Sequence, residues 1–316
     1  VFAGALYDAP LWTNRQQIAT RLSERGWKVL YAEPRLLLWR RIFGGRWLLR
    51  QVAPQRFRPN LWVQAQANLI PGSRRVPFIG WLNHVLWNGW RIRLHAWELG
   101  LRDPVLLIYD TEAAEFLDDF PGSRVVYDCV DDHSAQAGGD RSAVNVEREE
   151  DAIVARAAAI SVTTEPLFRR FSKVHPLVTL VPNAADVQSF LVSSGPEPPD
   201  LARIPHPRIG TVGALDTYKL DVRLLRALVG EHPAWQFVFV GPVEYAGGRP
   251  SGQAAHAADA DESVQALRSF PNAHFLGFKQ REDIPAYVHG FDVAIIPYRD
   301  SAYNRSSFPL KFWEFM

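Results

Sequence analysis

The segment near the end of the chain places a proline, a lysine and a glutamate where a bound nucleotide would need them. Pro309 opens a predicted helix, Leu310 and Lys311 follow in the first turn, and Glu314 lies about one turn from the start. Free backbone N–H groups at a helix N-terminus bind phosphate oxygens, and a lysine adds positive charge. A carboxylate accepts hydrogen bonds from the two hydroxyls of a ribose. The pattern predicts a nucleotide site, and its alternative is a surface helix with one Lys–Glu pair.

Two glycines end predicted strands earlier in the chain, and a lysine follows the first of them. Gly213 comes after Arg208–Val212, and Gly241 comes after residues 235–240. Glycine at a strand end lets backbone N–H groups approach a diphosphate closely, and Lys219 is a candidate partner for its charge. The spacing matches neither the Gly-x-Gly-x-x-Gly fingerprint nor a Walker loop. Tight turns and an exposed lysine at a helix start are therefore the alternatives.

Acid–base groups follow a predicted strand in the first half of the chain. Asp131, Asp132 and His133 come shortly after residues 125–127. These side chains are candidates for orienting or deprotonating an acceptor hydroxyl, and a hydrogen-bonded turn is the alternative. The paired aspartates lack Asp-x-Asp spacing, and the single cysteine, Cys129, excludes a zinc site built on several cysteines. We therefore expect neither a metal nor a cofactor.

Short apolar strands alternate with helices along the chain. Strands are predicted at 27–32, 105–109, 125–127, 159–163, 178–181, 208–213, 235–241, 274–277 and 292–297. This alternation predicts an α/β fold with two parallel, doubly wound sheets. Ligands bind such sheets at the carboxyl ends of the strands, where the residues described above are expected.

A proline-rich break separates the two halves. We expect residues 1–191 to form one domain, 192–207 a linker with five prolines, and 208–316 a second domain. The chain opens within a predicted strand at Val1 and closes within a predicted helix at Met316. We therefore expect it to be a piece of a longer protein.

Positive charge and tryptophan are concentrated in residues 35–102. This stretch carries twelve arginines, seven of the eleven tryptophans and one acid, Glu98. Residues 103–166 carry fifteen acids and four arginines, so the net charge of the whole chain is only +1. Arginines mixed with tryptophans and aliphatic residues predict a surface that lies on an anionic membrane. No apolar run is long enough to span one.

A helix near the end of this basic stretch carries part of the membrane prediction. Helical spacing places Trp81, Val85 and either Leu86 or Trp87 near one face. The ordinary alternative is a tryptophan core with a solvated arginine rim. A nucleic-acid groove uses the same residue types, but no recognisable nucleic-acid motif accompanies them, and we expect no nucleic-acid partner.

Seven segments, taken in order, carry a family resemblance. They are LWTNRQQ (11–17), VLYAEP (29–34), VYDCVDD (126–132), LVPNAAD (180–186), IGTVGAL (209–215), PNAHFLG (271–277) and PLKFWEF (309–315). The chain resembles the GT-B-fold, family-4-like glycosyltransferases, especially the bacterial branch of teichuronic-acid or cell-surface polysaccharide type. The last segment is the most specific.

The resemblance implies two Rossmann-like domains facing a cleft, with a nucleotide-sugar donor held by the second and an acceptor held by the first. On the donor side, Glu314 matches the ribose-binding glutamate, Pro309–Lys311 and Gly213 match the diphosphate cradle, and Lys219 loosely matches its cationic partner. On the acceptor or cleft side, the matching residues are Trp12, Asn14, Arg15 and Asn183.

The implied activity is transfer of a sugar from a nucleoside-diphosphate sugar to a glycan or lipid-linked acceptor in cell-surface polysaccharide synthesis. The family suggests retention without a metal, and we expect a cytoplasmic enzyme, peripheral on the inner face of the membrane. Ala184 replaces the glycine of the family's hinge segment, and Ser306 replaces a second glutamate. The family's further strand and helices are absent, so we expect the second domain to be incomplete. A nucleotide-sugar epimerase and a non-catalytic membrane-associated partner of the same fold are the alternatives.

Overall fold

The computed structural model describes residues 1–9, 12–37, 53–73, 76–134, 143–191, 196–243 and 264–316. The chain divides into two compact units, Val1–Val181 (unit 1) and Pro182–Met316 (unit 2). The stretch 192–207, expected as a linker, thus falls inside unit 2. Its first four residues lie outside the described residues, whereas Leu201 and Ile204 are buried in the core of unit 2. Prolines exclude regular structure there but do not prevent packing.

Unit 1 is built on a mostly parallel sheet. Its strands are β1 (Val29–Leu37), β2 (Gln55–Arg58), β3 (Leu61–Asn68), β4 (Leu106–Ile108), β5 (Val125–Cys129), β6 (Ala157–Val162) and β7 (Val178–Leu180). The orders are β1-β3-β2 and β4-β5-β6-β7, and β2 is antiparallel to β3. Phe2 pairs in parallel with Ala32 of β1 and with Ile108 of β4. The first residues of the chain therefore join the two sets of strands.

Helices cover both faces of this sheet. They are α1 (Asn14–Glu24), α2 (Pro77–Asn83), α3 (Gly89–Glu98), α4 (Ala143–Arg156) and α5 (Glu165–Phe171), with a 3-10 segment at Thr111–Asp119. A π-helical turn, His84–Asn88, makes α2 and α3 continuous. Ala19 of α1 packs in one core cluster with Val29 and Tyr31, whereas Ile92 of α3 packs in another with Leu30 and Ala32. Adjacent residues of β1 thus enter opposite cores, which is the doubly wound arrangement that the sequence predicted.

Unit 2 repeats the pattern with one parallel sheet. It contains α6 (Val187–Leu191), β8 (Arg208–Val212), α7 (Val222–Glu231), β9 (Gln236–Val240), β10 (Ala273–Gly277), α8 (Ile284–His289), β11 (Val293–Ala294), α9 (Ala302–Arg305) and α10 (Lys311–Glu314). The strand order is β10-β9-β8-β11, and every described pair is parallel. β8 is buried throughout because neighbouring strands flank it on both sides.

Several elements differ from the sequence prediction. The hairpin β2–β3 was not predicted, because β3 buries amide side chains in place of an apolar run. The strand predicted at 292–297 is confined to β11, and the Ile295 N–H makes one further hydrogen bond of 2.8 Å to the Gly210 carbonyl oxygen of β8. The helix predicted from Pro309 to Met316 is the short α10, and Pro309 belongs to the turn before it.

Candidate functional site

The two glycine turns of unit 2 contact each other and the lysine of α10. Gly213 and Gly241 follow β8 and β9 with φ values of +112° and +139°. A Cβ on Gly241 would lie 2.0 Å from the Gly213 carbonyl oxygen, and a Cβ on Gly213 would lie 2.6 Å from Lys311 Nζ. Only glycine fits such backbone geometry at such close approach. The structure therefore brings Gly213, Gly241 and Lys311 together at the carboxyl ends of two neighbouring strands.

Lys219 lies between the Gly213 turn and α7. Its Nζ is 5.3 Å from the centre of the Tyr218 ring and 5.8 Å from that of Tyr303. Cation–π attraction of this kind holds the ammonium group without neutralising it. The Lys219 backbone carbonyl also accepts a hydrogen bond of 3.0 Å from Asn304 Nδ2, which fixes the loop.

Two lysine charges act on one another at this site. Burial lowers the pKa of Lys311 from 10.5 to about 8, because protein replaces the water that stabilises its charge. The positive charge of Lys219 lowers it further, against the opposing effect of Glu314 and Asp216. Such a pair of ammonium groups favours binding of a polyvalent anion, which would relieve both the desolvation and the repulsion.

Glu314 and the turn before α10 complete the predicted nucleotide side. The Leu310 carbonyl accepts hydrogen bonds from the N–H groups of Trp313, at 3.0 Å, and Glu314, at 3.3 Å. The Phe312 N–H donates a 3.1 Å hydrogen bond to the Pro309 carbonyl oxygen, so the turn at Pro309 leads directly into α10. Burial raises the pKa of the Glu314 carboxyl, while the charges of Lys311 and Arg281 oppose the shift.

Asn183 belongs to unit 2 and supports this turn. Its Nδ2 donates a 2.9 Å hydrogen bond to the carbonyl oxygen of Phe308, the residue before Pro309. The sequence analysis grouped Asn183 with the acceptor or cleft side. A partner 125 positions away leaves no local signal in the sequence, so this contact could not be predicted.

In unit 1, the acidic residues after β5 are held by hydrogen bonds. Ser134 Oγ donates to Asp132 Oδ1 at 2.8 Å, and Cys129 Sγ donates to the Asp131 carbonyl oxygen at 3.3 Å. Ser161 Oγ donates to Asp128 Oδ1 at 2.8 Å. Burial raises the pKa of Asp128, and the hydrogen bond from Ser161 opposes the shift. Asp131 and Asp132 thus lie in a hydrogen-bonded turn beside a buried carboxyl.

A buried ion pair supports the same turn. Glu150 is 1% exposed and accepts a 2.7 Å hydrogen bond from the Tyr127 hydroxyl and a second one from Arg170 Nη2. The other guanidinium nitrogen of Arg170 lies 3.6 Å from Asp132 Oδ1. Arg170 therefore connects the helix α4 to the loop that carries Asp132.

His133 has unused hydrogen-bonding capacity. Its Nε2 is buried and lacks a hydrogen-bond partner among the described residues. Burial lowers the pKa of His133; Asp110 and Asp131 oppose this shift, and the charge of Arg15 reinforces it. The imidazole is therefore neutral near pH 7, where a ring nitrogen can accept a proton.

The acceptor-side residues at the start of α1 fall into two groups. Arg15 lies close enough to His133, Asp128 and Tyr109 to affect their pKa values, and its buried Nε has no hydrogen-bond partner within the described ranges. Asn14 is the first residue of α1. Trp12 instead packs on the core, with its ring 5.6 Å from that of Tyr7.

Asp110 lies close enough to His133 to affect its pKa, and Gly4 packs against Asp110. The sequence analysis missed both residues. Asp110 Oδ1 accepts a 3.2 Å hydrogen bond from the Glu112 N–H. Gly4 has a φ of +60°, and a Cβ on it would lie 2.8 Å from Asp110 Oδ2. The signal for Asp110 was its place directly after the strand predicted at 105–109.

In the part of the chain that the structure describes, no three His, Cys, Asp or Glu side chains gather as a metal site. No helix in those ranges is long and apolar enough to cross a bilayer.

Comparison with known proteins begins with sequence. No family model matches the chain. TuaH of Bacillus subtilis (strain 168), provisionally named a teichuronic acid biosynthesis glycosyltransferase, is 27% identical over 206 residues. The match covers 61% of this chain and 48% of TuaH, so the chain spans about half the length of this relative.

Solved structures share the fold over most of the chain. HepE of Anabaena, in complex with UDP and glucose, superimposes with a TM-score of 0.54 and 15% identity over 88% of this chain and 67% of HepE. The apo structure of OtsA gives a TM-score of 0.59 and 13% identity over 90% of this chain and 75% of OtsA. The parallel sheets of both units agree with these relatives. The chain has the GT-B fold, and the resemblance to GT-B glycosyltransferases drawn from its motifs is confirmed.

Proposed function

We propose that the protein is a glycosyltransferase that moves a sugar from a nucleoside-diphosphate sugar to a glycan or lipid-linked acceptor in cell-surface polysaccharide synthesis. The observation that carries this proposal is the convergence of Gly213, Gly241 and Lys311, with Lys219 nearby, at the strand ends of unit 2. The similarity to TuaH supports the activity and the pathway class. The likeness to HepE, which was solved with UDP, makes UDP the first donor nucleotide to test.

On the donor side, the two lysines would neutralise the diphosphate as it leaves the sugar. Glycine at positions 213 and 241 lets the two turns contact each other and lets Lys311 Nζ approach the Gly213 turn, so the lysine charge lies at the strand ends where a diphosphate would bind. Glu314 would accept hydrogen bonds from the ribose hydroxyls. Developing negative charge on the leaving group is thereby stabilised by fixed positive groups, which lowers the barrier without a metal.

On the acceptor side, neutral His133 would receive the proton of the attacking hydroxyl at Nε2. Burial, reinforced by the charge of Arg15, lowers the pKa of His133 and keeps it neutral, and Asp131 and Asp132 shape the loop that carries it. We propose retention of configuration from the family resemblance. We also propose that the protein works at the cytoplasmic face of an anionic membrane, where a lipid-linked acceptor would be found.

Calorimetric titration with UDP, GDP and their sugars tests the donor site. UDP should bind the parent protein, and Lys311→Met should weaken binding at least about tenfold, since a charge-assisted contact is lost. Lys173→Met is the matched control, because Lys173 is an exposed lysine of unit 1. If neither nucleoside diphosphate binds, or if both variants bind equally, the donor assignment is wrong.

A transfer assay separates the alternatives that share this fold. A glycosyltransferase forms product only with an acceptor, whereas an epimerase releases a new nucleotide sugar without one. A non-catalytic partner protein binds the nucleotide and forms no product. Ser306, in place of the family's second glutamate, is consistent with this alternative.

A further inference from the structure

The helix from Pro77 to Glu98 exposes a long row of large apolar side chains. Phe78 and Trp81 are stacked with their ring centres 5.6 Å apart, and the row continues to the end of α3. Its members are Phe78 (65% exposed), Trp81 (53%), Val85 (49%), Leu86 (50%), Trp90 (43%), Leu94 (40%) and Trp97 (70%). We call these seven residues the apolar row. A contiguous patch of this kind marks an interaction site more often than a free surface.

The opposite side of the same helix is fixed to unit 1 by two asparagines. Asn83 accepts from the Ile70 N–H at 2.8 Å and donates to the Ile70 carbonyl at 2.9 Å. Asn88 accepts from the Ala67 N–H at 3.1 Å and donates to the Ala67 carbonyl at 3.0 Å. Each side-chain amide thus pairs with the N–H and carbonyl groups of one backbone residue, as a neighbouring strand would. Both asparagines are fully buried.

The two asparagines are five positions apart, and an α-helix would not point both at the same strand. The π-helical turn His84–Asn88 accommodates this spacing because its hydrogen bonds run from i to i+5. Gly89 makes the turn possible, since a Cβ there would lie 2.6 Å from His84 Nε2. The π turn is therefore required by the docking of the helix on β3 and the residues after it.

The π turn also decides where the apolar row lies. Each residue of an α-helix advances about 100° around the axis. In an uninterrupted helix, Trp90 and Trp97 would lie roughly 100–120° away from Phe78 and roughly 160–180° away from Trp81. The extra residue in the π turn removes about 100° of this offset, so the exposed side chains before and after it share one face.

The basic stretch 35–102, which contains the apolar row, carries twelve arginines and one acid, Glu98. Arg93 projects from α3 with 55% of its side chain exposed and lies 3.4 Å from Asp119 Oδ1, and Glu98 is exposed at the end of α3. Arg56 and Arg58 are exposed on β2. Arg74 and Arg75 directly precede the helix but lie outside the described residues, as do residues 38–52 of the basic stretch. Two other arginines were wrongly expected at this surface. Arg35 is buried against Glu112 and Glu115, and Arg91 is 2% exposed with its guanidinium 4.6 Å from the Trp87 ring centre.

We infer that the π turn aligns the apolar row into a single face that lies in the headgroup–acyl boundary of an anionic bilayer. Three tryptophans and a positive rim are the residues that such a boundary binds best. The inference rests on the proposed membrane partner and names the surface and the backbone device that create it. A second copy of this chain would be held by the apolar contacts but would be repelled by the matching positive rim.

Flotation with vesicles tests the surface. The parent protein should float with phosphatidylcholine vesicles that contain phosphatidylglycerol, and should float less in high salt. Replacing Trp81, Trp90 and Trp97 by serine should lower recovery at least about tenfold. Trp27→Ser is the matched control, because Trp27 is 59% exposed but lies outside the helix, after α1. UDP titration of the same variants keeps this test separate from the donor site, which lies in unit 2.

Spin labels test the alignment itself, and the single buried cysteine of the chain allows them. Nitroxides on Phe78→Cys and Leu94→Cys should enter the bilayer to similar depth, because these positions lie before and after the π turn and are expected on one face. Entry of one label without the other overturns the alignment. Equal recovery of parent and triple variant, or self-association that the triple variant abolishes without vesicle binding, overturns the membrane assignment.

Discussion

Lys311→Met is expected to stabilise unit 2 while it weakens nucleotide binding. Burial and Lys219 hold the pKa of Lys311 at about 8, down from 10.5. At about 1.4 kcal/mol per pKa unit, the charged lysine costs the folded state up to about 3 kcal/mol near pH 7. The lysine is only half-buried, and Met would leave Glu314 and Asp216 without its attraction. We therefore expect a gain of about 1–2 kcal/mol.

The pH dependence fixes the sign of this effect. Between about pH 8 and the ordinary pKa of lysine, the unfolded chain binds more protons at this position than the folded chain. The stability of the parent protein should rise over this range, and the advantage of Lys311→Met should shrink. The affinity of the parent for UDP should fall over the same range, because the ammonium loses its charge.

Amide hydrogen exchange in β8 and β9 is the suitable assay, since two units do not unfold as one transition. Protection should increase in Lys311→Met at neutral pH and converge with the parent in alkaline solution. Lys173→Met should change neither the hydrogen-exchange protection of β8 and β9 nor the affinity for UDP. Reduced protection together with unchanged UDP affinity would refute the reasoning, because Lys311 would then be a structural ion-pair partner.

Other predictions address the remaining residues of both units. Glu314→Ala should weaken UDP binding by about 1–3 kcal/mol in a titration, and unchanged affinity would remove the ribose assignment. Gly241→Ala should lower both UDP affinity and unit 2 stability, the latter by about 1–3 kcal/mol, because its Cβ meets the backbone of Gly213. Gly277→Ala, which meets nothing within 4 Å, should cost less. The rate of sugar transfer by the parent protein should fall with decreasing pH only below the ordinary pKa of histidine, because the pKa of His133 is lowered. Arg15→Gln should move the acid limb of the pH–rate profile to higher pH, because a positive charge near His133 is lost. An unchanged pH–rate profile would count against His133 as the proton acceptor.

The sequence predicts best where one physical signal acts alone. β8 and β9 are apolar runs that end at glycine, and both lie where they were expected. β3 was missed because Gln64 and Gln66 are buried on its helix-facing side, and two amides in a short run resemble a surface loop. Tertiary packing against α2 and the π turn, which no local pattern encodes, overrides the polarity of these residues.

The site follows the same rule. Gly213, Gly241 and Lys311 could be grouped from sequence because each follows a parallel strand or opens a helix at the same end of one sheet. The hydrogen bond from Asn183 to Phe308 could not, since it joins residues from opposite ends of unit 2. The π turn was equally hidden, because regular helical spacing placed Trp81 and Val85 correctly and gave no account of Trp90 and Trp97.

The position of Phe2 in unit 1 has a consequence for the order of folding. Phe2 pairs with Ala32 and Ile108 and stacks on Phe116, with ring centres 4.9 Å apart. Closing the loop between Phe2 and Ile108 costs about 1 kcal/mol more in chain entropy than closing the loop between Phe2 and Ala32. The β1–β3 and β4–β7 halves can each form from contacts nearer in sequence. The segment that contains Phe2 is therefore expected to enter the centre of the sheet after the two halves on either side of it have formed. In pulse-labelled refolding, the amide of Phe2 should gain protection from hydrogen exchange late.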